Sequence, residues 1–187
     1  MNRHHVLTVG GVRRELPLFE VSPGLAIAVL NILGDVELVE AAAEGLAPRI
    51  AETRPVALLT PEAKSIPLAH ALATRLGLPY AVLRKSYKSY MGDALSVRTV
   101  SITTGAEQTL YLDQKDRQLV TGRRIALVDD VVSTGSTLQG MREVAGRAES
   151  EVVAEAAICT EGDPADWENV IALGHLPLFR LDETTGA

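Results

Sequence analysis

The chain has 187 residues, 47% hydrophobic and 22% charged, with a formal net charge of -6. This describes one domain, residues 1–187, able to bury a substantial core. The acidic balance argues against a nucleic-acid partner, and no apolar run reaches the roughly 20 residues that span a bilayer, which argues against a membrane partner.

The start, Met1-Asn2-Arg3-His4-His5, lacks the basic and apolar stretches of a secretion signal, so a cytoplasmic protein is expected. Residues 6–9, Gly10-Gly11 and residues 12–18 predict a hairpin with a glycine turn. Residues 25–33, after Pro23-Gly24, predict a short apolar helix. Residues 35–53 carry Val36, Val39, Ala42, Ala43, Leu46 and Ile50 at helical spacing, a longer amphipathic helix interrupted or bent by Pro48. A strand over 56–60, a helix over 66–76 and a strand over 80–83 follow. Residues 97–103 and 109–112 predict two strands joined around Thr104-Gly105. A strand over 125–128, a helix over 138–148, a strand over 152–158 and a tail over 170–181 complete the set. Strands alternating with helices imply a three-layer α/β sheet. Cys159, the one cysteine, has no disulfide or metal partner and reads as a small core residue.

The richest stretch is 124–137. Ile125, Ala126, Leu127 and Val128 form a buried strand, Asp129 and Asp130 stand at its carboxyl end, and Ser133, Thr134, Gly135, Ser136 and Thr137 make a hydroxyl-rich turn before a helix. In an open parallel sheet ligands bind beyond the strands' carboxyl ends, and the free N–H groups of the next helix hold anions. Two carboxylates there can reach hydroxyls of the same ligand or a magnesium ion. The lysine of a nucleotide P-loop and the G-x-G-x-x-G of a dinucleotide site are both missing. A phosphorylated sugar fits. The bland alternative is a structural strand-turn-helix, since Asp and Ser are ordinary helix N-terminal residues.

This stretch resembles the motif by which type I phosphoribosyltransferases bind 5-phosphoribosyl 1-diphosphate (PRPP), and the resemblance covers about residues 57–158. It implies the type I phosphoribosyltransferase fold: α/β, a central, mostly parallel sheet flanked by helices, a small N-terminal hood over about 1–34 and a flexible hairpin lid over about 86–112. By resemblance, Asp129 and Asp130 hold the ribose hydroxyls and stabilise the cationic ribose, and residues 133–137 take the 5-phosphate. Mg2+ arrives mainly with PRPP, with Asp129 and Asp130 as further candidate ligands. Ala63, Lys64 and Ser65 form the pyrophosphate loop, with a non-proline cis peptide expected to involve Ala63 and Lys64. Arg84, Lys85 and Lys88 also meet pyrophosphate, in their own or a partner subunit's site, since the resemblance implies a homodimer. Leu18, Phe19 and Val21 are candidates to stack on a purine, with core packing as the alternative. Cys159 and Glu161 are candidates to meet the base edge through backbone groups.

Adenine enzymes often carry a Glu in the hairpin where this chain has Thr103. A Thr hydroxyl cannot relay that charge, so deprotonation falls to solvent or to the base's own acidity, greater for xanthine than for adenine. The expected function is therefore transfer of 5-phosphoribosyl from PRPP to a purine base, xanthine- or adenine-type, with xanthine or another 6-oxopurine used better than adenine. The alternatives are a PRPP- or nucleotide-sensing protein that binds without turnover, or an orotate enzyme.

Overall fold

A computed structural model of the chain describes residues 4–100 and 107–181. Strands β1 (His4–Val9) and β2 (Val12–Ser22) form the expected hairpin about Gly10-Gly11, and β3 (Leu25–Ala28) pairs antiparallel with β2. The helix expected over 25–33 is therefore a strand over 25–28 followed by irregular chain. Its four apolar residues fit either period, and the open edge of β2 decides in favour of the ladder. Near the far end of the described chain, β11 (Phe179–Arg180) completes this small sheet, ordered β1-β2-β3-β11.

Helix α1 (Val36–Glu52) runs unbroken past Pro48, held by buried Leu46, Ala47 and Ile50 on both sides of it. Asp35 caps it, accepting from Leu38 N–H at 3.1 Å, and its carboxylate also takes Arg14 Nε at 2.7 Å and Nη2 at 2.8 Å. One side chain thus ends the link from the small sheet and starts the helix. Arg14 holds the Asp35 carboxyl below its ordinary value. Asp35→Ala is expected to cost about 1–2 kcal/mol, read as a lower urea midpoint at unchanged slope. Because the folded pKa is depressed, that stabilisation is complete above the unfolded carboxylate range and is lost as pH falls through the folded value. An equal loss at pH 7 and at pH 3 would contradict this origin.

The main sheet has five parallel strands, β4 (Ala57–Pro61), β5 (Tyr80–Leu83), β8 (Arg124–Val132), β9 (Glu151–Glu161) and β10 (Ile171–Leu176), in the order β10-β9-β8-β4-β5. All of β4 is buried, as a central parallel strand requires. Leu58, Ala126, Val128, Ala156 and Ile158 pack toward α1 and α2 (Ile66–Leu76), while Leu59, Ile125, Leu127 and Ala157 pack toward α4 (Ser136–Arg147). The chain moves outward from β4 to β5, then crosses back to build β8, β9 and β10 on the other side. The crevice between β4 and β8 is thus the point where strand order reverses, the usual ligand position in such sheets.

The antiparallel ribbon β6 (Leu95–Val100) and β7 (Glu107–Leu112) lies on α4, and the short helix α3 (Arg117–Val120) leads on to β8. Val97, Leu110 and Leu112 are buried. At Gly140 a Cβ would stand 2.8 Å from Leu110 Cδ1 and 3.0 Å from Thr99 Cγ2, so glycine is what lets the ribbon lie this close. The base of the expected lid therefore belongs to the core, while Thr103, Thr104 and Gly105 lie outside the described residues. Among the described residues no helix is long and apolar enough to cross a membrane.

Candidate active site

The acidic pair does not follow the end of β8. It lies within it, because β9 continues alongside to Glu161 and keeps Asp129 opposite Ala157, Val131 opposite Cys159 and Val132 opposite Thr160. Adjacent residues on a strand point to opposite faces, yet both carboxylates line one cleft of about 330 Å3 at the β4/β8 crevice. Asp129 is buried and its Oδ1 accepts the Asp130 N–H at 2.9 Å. Burial first, then the neighbouring Asp130 charge, pushes the Asp129 carboxyl well above its ordinary value. An anion is disfavoured there until a ligand brings donors or positive charge.

Beyond β8, Ser133, Thr134, Gly135 and Thr137 line a narrow recess of about 30 Å3 that shares Asp129, Ser133 and Thr137 with the main cleft. Helix α4 starts at Ser136, two residues earlier than the pattern predicted, so the N–H groups of its first turn open onto this recess. Gly135 takes φ +75°, and a Cβ there would meet Trp167 Cη2 at 2.7 Å.

On the opposite wall, the loop after β4 contains a cis peptide between Glu62 and Ala63, one bond earlier than expected. No proline in that stretch marks which bond it would be. Lys64 and Lys85 line the cleft. Ser65 also lines it, but its hydroxyl is buried and donates to Pro61 O at 2.8 Å, while Thr60 Oγ1 lies 2.9 Å from both Ser65 Oγ and Val128 O. Ser65 therefore braces the loop between the two central strands, and its backbone alone is left for an anion.

Arg84 does not line the cleft. Its Nε donates to Glu62 Oε2 at 2.5 Å, while the Lys85 backbone N–H takes Glu62 Oε1 at 2.5 Å. Burial of Glu62 opposes ionisation, but the Lys85 N–H and the Arg84 guanidinium outweigh it and hold the carboxyl below its ordinary value. Glu62 escaped the sequence reading; the available signal was a carboxylate at one strand end beside a basic pair at the next. Lys88 is exposed outside the cleft.

The wall expected to meet a base also differs from expectation. Ile27, Ala28, Val29 and Leu30 line the cleft, whereas Leu18, Phe19 and Val21 do not. In the β2–β3 ladder Leu18 opposes Ala28 and Phe19 opposes Ile27, so β3 stands between β2 and the cleft. Phe19 is 63% exposed and Leu18 packs on the core. Cys159 is wholly buried, its thiol pushed up to about 12 by burial and then by Asp130, which is the core role its composition suggested. Glu161 does line the cleft, with its carbonyl already accepting from Trp167 Nε1 at 2.9 Å.

Among the described residues no group of three His, Cys, Asp or Glu could cage a metal. Asp129 and Asp130 nevertheless supply hard oxygen donors, which suits Mg2+ held by one or two carboxylates with substrate oxygens and water completing its shell.

The switch-point cleft thus has the start of α4 on one side, a second loop bearing Lys64 on the other and two carboxylates between them. The chain belongs to the phosphoribosyl transferase domain family, whose sequence model matches residues 30–172. It is 31% identical over 121 residues to the purine biosynthesis transcriptional repressor PurR of Bacillus subtilis, covering 65% of this chain and 42% of that protein. It is also 31% identical over 106 residues to the hypoxanthine/guanine phosphoribosyltransferase of Methanococcus voltae, covering 57% of this chain and 53% of the other. In fold it resembles the adenine phosphoribosyltransferase of Thermoanaerobacter pseudethanolicus, with TM-score 0.66 and 19% identity over 94% of this chain and 95% of that one. The chain spans about half the length of the curated relatives it matches.

Proposed function

We propose that the protein transfers the 5-phosphoribosyl group of PRPP to N9 of a purine, releasing pyrophosphate. The observation that carries this reading is the Asp129–Asp130 pair in the floor of a cleft between two anion-binding loops. The 5-phosphate is held by the N–H and hydroxyl groups of residues 133–137, and the pyrophosphate by the 63–65 backbone with Lys64 and Lys85. As the bond to pyrophosphate breaks, positive charge grows on the ribose ring, and the two carboxylates stabilise it while accepting from its hydroxyls. Bound Mg2+ would neutralise the leaving diphosphate. Arg84 acts through Glu62, fixing the loop that meets the diphosphate. The hairpin expected over about 86–112 serves as the lid that keeps water from PRPP.

A purine acceptor is supported by the names of the relatives, and a 6-oxopurine by Thr103. The second reading, a PRPP or nucleotide sensor without turnover, is favoured by the likeness to purine regulators. Pyrophosphate release measured with PRPP, Mg2+ and adenine, xanthine, guanine, hypoxanthine or orotate separates them. Release with a purine is the expected result. Tight PRPP binding with no release for any base would favour the sensor, and preference for orotate would overturn the purine assignment.

A further inference from the structure

Glu161 is a buried carboxylate without a partner. It is 8% exposed, and among the described residues no donor hydrogen-bonds to its carboxyl. Burial alone raises that carboxyl above its ordinary value. Its backbone is fixed: the carbonyl holds Trp167 Nε1, and the next N–H, of Gly162, donates to Leu176 O at 3.3 Å. The side chain shares the cleft with the apolar run Ile27, Ala28, Val29 and Leu30. The other carboxylates of the cleft have work already, Glu62 with Arg84 and Lys85, Asp129 and Asp130 with the sugar.

The oxygens of Glu161 touch the water of the cleft, since Gln108 Nε2 is the side-chain atom that is both sealed from solvent and unpaired among the described residues, so a ligand that displaces this water must bring donors of its own. We propose that Glu161 selects the base, its two oxygens accepting from the N1–H and 2-amino group of a 2-amino-6-oxopurine, so that guanine or its nucleotide is the ligand that fits. This rests on the phosphoribosyl-binding reading of the same cleft. Guanine presents two adjacent coplanar N–H donors, the arrangement a carboxylate accepts bidentately. Hypoxanthine offers only one. Xanthine turns a carbonyl oxygen toward the carboxylate in place of the amino group, and adenine turns a bare ring nitrogen. The apolar wall of 27–30 covers the ring faces and keeps out the water that could satisfy a mismatched edge.

Calorimetric titration of the whole chain with GMP, IMP, XMP, AMP and ribose 5-phosphate, repeated on Glu161→Gln, tests this. The natural protein should bind GMP about tenfold or more tighter than each other nucleotide. The variant should lose that margin, because one oxygen becomes an amide donor facing donors, while ribose 5-phosphate, which carries no base, binds both proteins alike. AMP, IMP or XMP bound as tightly as GMP, or a margin that survives in the variant, overturns the assignment. Should the variant fail to fold, the order of the four nucleotides on the natural protein still decides. If the natural protein binds no ribose 5-phosphate, the phosphoribosyl reading itself fails and takes this assignment with it.

Discussion

Changing Asp129 and Asp130 together to Asn is expected to lower the rate of pyrophosphate release by at least about 10^3-fold, the scale on which charge stabilisation of a transition state is lost, while the melting temperature at pH 7.5 stays level or rises. Both halves come from the same geometry. The ladder between β8 and β9 runs past the pair, with Asp129 opposite Ala157 and Val131 opposite Cys159, so neither side chain is needed to hold β8 against β9. Burial and the neighbouring charge raise the Asp129 carboxyl in the folded protein. The folded state therefore holds that proton more tightly than the unfolded chain does. The associated stability is complete below the unfolded value and is lost as pH rises through the folded one, so above the unfolded range a buried Asp129 weighs against the folded state. An amide removes that burden along with the catalytic charge. Rates within tenfold of the natural protein's would show that the carboxylates do not act on the ribose, and a sharply lower melting temperature would show that they support the fold.

Gly135→Ala should weaken ribose 5-phosphate binding about tenfold or more and cost about 1–3 kcal/mol of stability. Two strains coincide there. A φ of +75° disfavours any Cβ, and the Cβ would meet Trp167, whose ring is held by its bond to the Glu161 carbonyl. The loop relaxes only by moving the first turn of α4, and the N–H groups proposed to hold the phosphate move with it. Calorimetry with ribose 5-phosphate and a thermal melt read the two effects. Unchanged affinity would mean that the phosphate sits elsewhere.

What could be read from the sequence was what local chemistry dictates. Helix 66–76 and strand 80–83 stand in the structure with those bounds, because buried spacing and the glycine stop at Gly77 leave little choice. That the loops after β4 and β8 border one cleft was legible because each is a short run of hydroxyl or basic residues that follows a strand. Features set by a partner strand were not. Residues 25–28 are a strand only because β2 lies beside them, and β8 continues through its carboxylates only because β9 is long. The wall made by Ile27–Leu30 followed from neither pattern nor motif, and resemblance assigned its place to Leu18, Phe19 and Val21. Arg84 looked like a cation for the ligand because Glu62, which holds it, is 22 residues away in the chain.

Trp167 gives the molecule a built-in optical probe. It is the sole tryptophan of the chain, and its indole joins the turn at Gly135 to the strand end at Glu161. Emission excited at the red edge of the protein absorption therefore originates at one junction, between the two ends of the cleft. Occupancy of either end by the proposed sugar phosphate and base is expected to change that emission without a label, and stopped-flow traces test the order of their arrival.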